Sequence, residues 1–145
     1  MVKKFNEEKA RFAVVTGGEP TKSAELATVL RLLRNHGFEI AIESNGTYPI
    51  PHKIDWVTVS PKRFQKVPYF IHDDAKAKAH EFKYVVDENF DFGILERHDV
   101  HDGRRYTLSP EWSHWQDRLP EIFNYIKEHP EWKISLQTHK FLNIP

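Results

Sequence analysis

Three short segments carry groups suited to holding a polar small molecule. Thr16-Gly17-Gly18-Glu19-Pro20 offers two glycines that let backbone approach a ligand closely, and a carboxylate that accepts from an ammonium group. Glu43 and Asn45, within Glu43-Ser44-Asn45-Gly46-Thr47, present groups that hydrogen-bond sugar hydroxyls. Ser60-Pro61-Lys62 sets a hydroxyl beside an ammonium, a pairing that suits a carboxylate. Each segment also reads as an ordinary turn with solvated side chains, and spacing alone leaves both readings open.

Nine histidines raise the question of a metal. His98 and His101 lie close to Asp99 and Asp102, but Gly103, Arg104 and Arg105 adjoin them and no third ligand is identifiable. Zinc sites need three or four protein ligands, so this stretch is expected to be a solvated loop. His139, between Thr138 and Lys140, follows the last apolar run and is the better candidate for a functional histidine. Trp112, Trp115, Phe123, Tyr125 and Trp132 are expected to pack in the core and against helices.

The elements that must position these groups follow from apolar spacing. Phe12, Ala13, Val14 and Val15 form a short run ending at Gly17-Gly18, the pattern of a strand entering a tight turn. Leu26, Val29, Leu30 and Leu33 recur three and four apart, which predicts an amphipathic helix capped at Gly37. Residues 38–42, 54–59, 82–86, 106–108 and 132–136 read as further strands, and residues 63–80 as a loop with a short helix. Residues 96–105 are turn-like. Pro120 suits the first turn of a helix whose stripe is Ile122, Phe123 and Ile126.

Strands alternating with helices predict an α/β fold with a mostly parallel sheet and right-handed crossovers. In such sheets ligands bind beyond the carboxyl ends of the strands. The three polar segments each follow a predicted strand, so one shared site along that edge is expected.

At 145 residues the sequence suits a single domain, 1–145. Its 21 basic and 21 acidic residues balance, which argues against nucleic acid or an anionic membrane as partner. No apolar run is long enough to span a bilayer and no signal-peptide pattern opens the sequence, so the cytoplasm is the expected location. There is no cysteine, hence no disulfide, thiolate nucleophile or cysteine-ligated cluster.

Taken in order, Thr16-Gly17-Gly18-Glu19-Pro20, Ile42-Glu43-Ser44-Asn45-Gly46-Thr47, Trp56-Val57-Thr58-Val59-Ser60-Pro61-Lys62 and the closing Gln137-Thr138-His139-Lys140-Phe141-Leu142-Asn143-Ile144-Pro145 resemble 7-carboxy-7-deazaguanine synthase. That family belongs to the radical S-adenosylmethionine superfamily and serves the queuosine and deazapurine pathway. The likeness covers nearly this whole sequence and roughly the last two-thirds of the family's usual length. It implies a partial (βα) barrel of the radical S-adenosylmethionine type, mostly parallel, with the first strands missing.

By the same resemblance Gly17, Gly18 and Glu19 would meet the methionine amino end of S-adenosylmethionine, and Ser60, Pro61 and Lys62 its further groups. A turn at Ser109 and Pro110 matches the contact segment near the adenine, although a serine stands where the family has a glutamine. Thr16, His139 and the terminal carboxylate of Pro145 match positions that hold the pterin-type substrate. The closing proline matches the family's own chain end, implying a natural C-terminus.

The family also needs a three-cysteine motif holding a [4Fe–4S] cluster, and a threonine near it that helps bind Mg2+; neither is identifiable before Phe12. The implied reaction converts 6-carboxy-5,6,7,8-tetrahydropterin to 7-carboxy-7-deazaguanine. Cluster ligation requires thiolates, so the chain alone is expected to be inactive. Three alternatives stand: a portion of a split synthase with a cysteine-bearing partner chain, a non-catalytic S-adenosylmethionine- or pterin-binding module, or a cysteine-free enzyme using His98, His101 or His139. Missing strands would leave the edge at residues 12–15 unpaired, to be covered by another chain, by homo-oligomerisation or by residues 1–11.

Overall fold

The computed structural model describes residues 11–142. The chain divides into two compact units, Met1–His80 and Glu81–Pro145. Both are α/β, and every strand pairing within them is parallel.

In the first unit β1 (Phe12–Val15), β2 (Glu39–Ser44) and β3 (Trp56–Val59) stand side by side in chain order. Register places Val15 beside Ile42 and Ile42 beside Val57, so Ala13, Val15, Ile40, Ile42, Val57 and Val59 share a face. That face is the core: Ile40, Ile42 and Val59 are fully buried. Helix α1 (Leu26–Asn35) joins β1 to β2 and packs against β2, burying Leu26, Leu30 and Leu33. These three lie along one line of the helix, whereas Val29, expected in the stripe, sits at its margin and is 41% exposed. The backbone leaves the helix at Gly37, whose N–H bonds to the Arg34 carbonyl at 2.9 Å.

Two ties hold the strand entries. The Asp55 carboxylate accepts from the Ile40 N–H at 2.7 Å and from Arg34 at 2.8 Å, and Arg34 also reaches the Lys53 carbonyl at 2.8 Å. Helix end, β2 and the approach to β3 are thereby joined at one carboxylate. Further along, the short helix α2 (Asp73–Lys78) begins at His72, whose ring nitrogen accepts from the Asp74 N–H at 3.1 Å. It returns Asp74 to the Ile50 N–H at 2.8 Å.

The second unit repeats the plan with β4 (Glu81–Val86), β5 (Arg105–Pro110) and β6 (Trp132–Ile134), again in chain order. Helix α3 (Trp115–Glu128) packs on β5 and β6 and buries Ile122, while α4 (Thr138–Phe141) follows β6. Phe82, Tyr106 and Trp132 align across the three strands and all are buried.

Three expectations are corrected here. Pro120 lies inside α3 rather than in its first turn. The helix starts five residues earlier than expected, and the acceptor that loses its donor is the carbonyl of exposed Gln116, which water can serve. Phe123 is 49% exposed, because its neighbour Ile122 takes the position facing the sheet. His98 is not in a solvated loop. A 3-10 turn, Phe92–Arg97, buries Leu95 and carries the chain back over the core face. There the His98 ring lies 4.5 Å from Phe82, and its Nε2 pairs with the Tyr84 hydroxyl at 2.9 Å. His101 remains exposed.

At the other margin, β1 stands first in the strand order with Phe12 54% and Val14 50% exposed. The expectation that residues 1–11 cover this edge rests largely on residues outside the described range. No helix among the described residues is long and apolar enough to cross a membrane.

The Arg34 hydrogen bond and the Ile40 N–H hold the Asp55 carboxyl below its ordinary range. A lowered carboxylate adds stability that is complete above its unfolded value and is lost as pH falls through the folded one. Urea midpoints should therefore fall below about pH 4 in the unaltered chain. Asp55→Asn should be less stable at neutral pH, with the gap closing in acid. A gap independent of pH would contradict the role given to this carboxylate.

Candidate functional site

The carboxyl ends of β1, β2 and β3 are knitted into one edge, and Glu19 is the knot. After β1 the chain turns through Gly17 and Gly18, at φ of 102° and 55°. A Cβ built at either would meet nothing within 4 Å, so glycine is required by backbone conformation and not by crowding. The turn brings Glu19 back as the cap of the 3-10 turn Pro20–Lys22, its carboxylate accepting from the Thr21 N–H at 3.1 Å and the Thr21 hydroxyl at 2.5 Å.

The same carboxylate crosses to β2. Oε1 accepts from the Ser44 hydroxyl at 2.8 Å and Oε2 from the Asn45 N–H at 2.6 Å. Ser44 is buried, and its hydroxyl also accepts from the Gly46 N–H at 3.0 Å. Glu19 is therefore spent mostly on its own chain, with Oε2, which takes one donor here, the oxygen better able to accept another.

The third strand end joins through backbone and side chain. The Ser60 N–H donates to the Ser44 carbonyl at 2.7 Å, and Lys62 Nζ donates to the Ser60 hydroxyl at 2.9 Å. Gln65 returns from the following loop to the Asn45 carbonyl at 3.1 Å and the Thr47 hydroxyl at 2.9 Å. Asn45 itself closes a local turn by accepting from the Thr47 N–H at 2.8 Å. Gly46 is crowded, unlike Gly17 and Gly18: a Cβ there would come within 2.7 Å of Val59 Cγ1.

Thr16, Gly17 and Gly18 are exposed, Ser60 and Pro61 buried and Lys62 exposed. The edge thus presents backbone at one end and a lysine-tethered hydroxyl at the other. Ser44, Thr21 and Gln65 were not singled out for a role from sequence. Only Thr21, two residues beyond an acid that precedes proline, carried a local signal of capping. Ser44 and Gln65 act over distances in sequence that no local pattern reveals.

In the second unit Ser109 and Pro110 are the last residues of β5, paired with Val85 and Val86 and buried, not a turn. Proline is tolerated there because the ladder ends with it, and the chain bends only at Glu111, whose N–H bonds to the Val86 carbonyl at 2.9 Å. His139 lies in α4, and Pro145 falls outside the described residues. Among the described residues no group of three or more His, Asp or Glu side chains is placed to hold a metal ion.

No protein-family model matches the chain. The 7-carboxy-7-deazaguanine synthase of Synechocystis sp. is 35% identical over 138 residues, covering 94% of this chain and 64% of the relative. That of Flavobacterium psychrophilum is 36% identical over 138 residues, covering 94% of this chain and 63% of the relative. Over nearly all of its length the chain is similar to 7-carboxy-7-deazaguanine synthases. The crystal structure of QueE from Escherichia coli is similar as well, with a TM-score of 0.72 at 27% identity, over 94% of this chain and 61% of that one. The chain spans about three fifths of the length of these synthases.

The Glu19 knot should matter to folding before any ligand is considered. Glu19→Gln keeps shape but replaces one acceptor oxygen by an NH2 that faces N–H or hydroxyl donors. Hydrogen bonds to a charged acceptor contribute about 1.5–3 kcal/mol each, so a loss of about 2 kcal/mol in urea unfolding is expected. A loss below about 0.5 kcal/mol would mean that the carboxylate is not the joint between β1 and β2.

Proposed function

We propose that this chain is the portion of a 7-carboxy-7-deazaguanine synthase that contacts S-adenosylmethionine and the pterin substrate, and that it works only together with the cysteine-bearing portion of such a synthase. The observation that supports this most is the edge itself: Glu19 bonds inward to Ser44 and Asn45 while the Gly17-Gly18 backbone stays exposed.

S-adenosylmethionine fits the groups present. Its amino group would meet the Gly17-Gly18 backbone and Glu19 Oε2, and its carboxylate the Ser60 hydroxyl and Lys62 ammonium, with Pro61 keeping that bend rigid. When bound, it supplies the hydrogen-abstracting group of the family's reaction. By family likeness Ser109 and Pro110 serve the adenine, and Thr16, His139 and Pro145 the 6-carboxy-5,6,7,8-tetrahydropterin. The chain's own contribution is positional: a preset glycine turn, a tethered hydroxyl and a carboxylate that keeps both in register.

A [4Fe–4S] cluster does not fit this chain, whose sequence has no cysteine to ligate it. The same fact favours a second reading, a binding module of this fold that retains ligand affinity without catalysis.

Calorimetric titration separates these from an unrelated role. Saturable heat on adding S-adenosylmethionine is expected, with affinity about tenfold weaker in Ser60→Ala, the effect of one lost hydrogen bond. Flat titrations of the unaltered chain would overturn both readings. Adding the cysteine-bearing portion of a relative, with its cluster, should then yield 7-carboxy-7-deazaguanine if the first reading holds. Binding without product in that mixture would favour the module.

A further inference from the structure

Outside the edge just described, the most organised exposed feature is a three-ring cluster in the second unit. Trp112, in the 3-10 turn Trp112–His114 after β5, stacks on Trp115, the first residue of α3, with centroids 6.3 Å apart and planes at 19°. Phe141, at the end of α4, meets both edge-on, 5.2 Å from Trp112 at 87° and 5.0 Å from Trp115 at 77°. Lys140 Nζ lies 4.9 Å from the Trp112 ring centre. Perpendicular ring contacts and a cation over an indole are the favourable geometries for such groups.

The segment so held is short. Helix α4 is four residues long, well short of what forms alone in water. Its backbone bonds are local, Lys140 N–H to Gln137 O at 2.9 Å and Leu142 N–H to Thr138 O at 3.0 Å. Phe141 is 42% and Leu142 62% exposed, so the segment lies on the surface and not in the core. The two indoles hang from the end of β5, through Pro110 and Glu111, and from the head of α3. Docking on them sets where the backbone of His139 stands relative to that strand end.

We propose that Phe141 is a positioning residue: clamped between Trp112 and Trp115, it latches the segment Gln137 to Leu142 onto the head of α3 and so holds His139 where the pterin is captured. The second half of this statement rests on the reading of His139 as a substrate contact, whereas the latch itself rests on the rings alone.

The test compares the full chain with Phe141→Ala and Phe141→Tyr. In Phe141→Ala, hydrogen exchange at the Lys140 and Leu142 amides should speed up about tenfold, as expected for two lost edge-on contacts. Tryptophan emission should shift to longer wavelength, with the global unfolding midpoint unchanged. Affinity for 6-carboxypterin, followed by its own fluorescence, should fall, and Phe141→Tyr should restore both exchange and affinity. Unchanged exchange in Phe141→Ala would overturn the latch. Faster exchange with undiminished pterin affinity would overturn the positioning role. If the unaltered chain binds no pterin, the functional reading fails, and exchange alone then decides the latch.

Discussion

Everything distinctive about the first unit turns on a single half-buried carboxylate. Glu19 lies beyond the end of β1, yet its oxygens reach the side chain that ends β2 and the N–H just after it. Parallel strands have no hairpin to fix how their ends meet, and the connection between β1 and β2 runs through a whole helix. A charged acceptor that gathers Thr21, Ser44 and Asn45 supplies that constraint. Ser44 passes it on, through its hydroxyl to Gly46 and through its carbonyl to Ser60, so three strand ends are tied together.

This arrangement explains why glycine and serine stand where they do. Gly17 and Gly18 allow the turn that aims Glu19 inward, leaving their own backbone facing out. Gly46 answers a different need, since Val59 leaves no room for a side chain beside it. Lys62, tethered to Ser60, continues the edge with a positive charge. The result is a line of polar groups held by the fold rather than by a ligand, the kind of preset surface that binds with little reorganisation.

Much of the framework was legible in the sequence because short apolar runs and helical spacing report directly on burial. The strand at Phe12–Val15 and the stripe of Leu26, Leu30 and Leu33 stand as read, with only marginal Val29 misplaced outward. What local pattern could not convey was interaction over distance. Glu19 and Ser44 are 25 residues apart, and nothing near either announces the other. His98 looked solvated because charged residues surround it, but buried Leu95 three residues earlier steers it onto the aromatic face. Ser109 and Pro110 were expected, by resemblance, in a turn beyond a strand ending at Leu108; pairing with Val85 and Val86 instead carries that strand through both. The likeness to 7-carboxy-7-deazaguanine synthases, by contrast, was legible early, since four motifs in order are a more specific signal than any one.

The joined ends of β1, β2 and β3 are proposed to form a preset S-adenosylmethionine-binding edge. Amide chemical shifts of the isotope-labelled chain, recorded while S-adenosylmethionine is added, test it residue by residue. Saturable shifts at Gly17, Gly18, Glu19, Asn45, Ser60 and Lys62, accompanied in the second unit by the Ser109 amide, are expected. Shifts confined to the second unit, or none at all at saturating ligand, would contradict it.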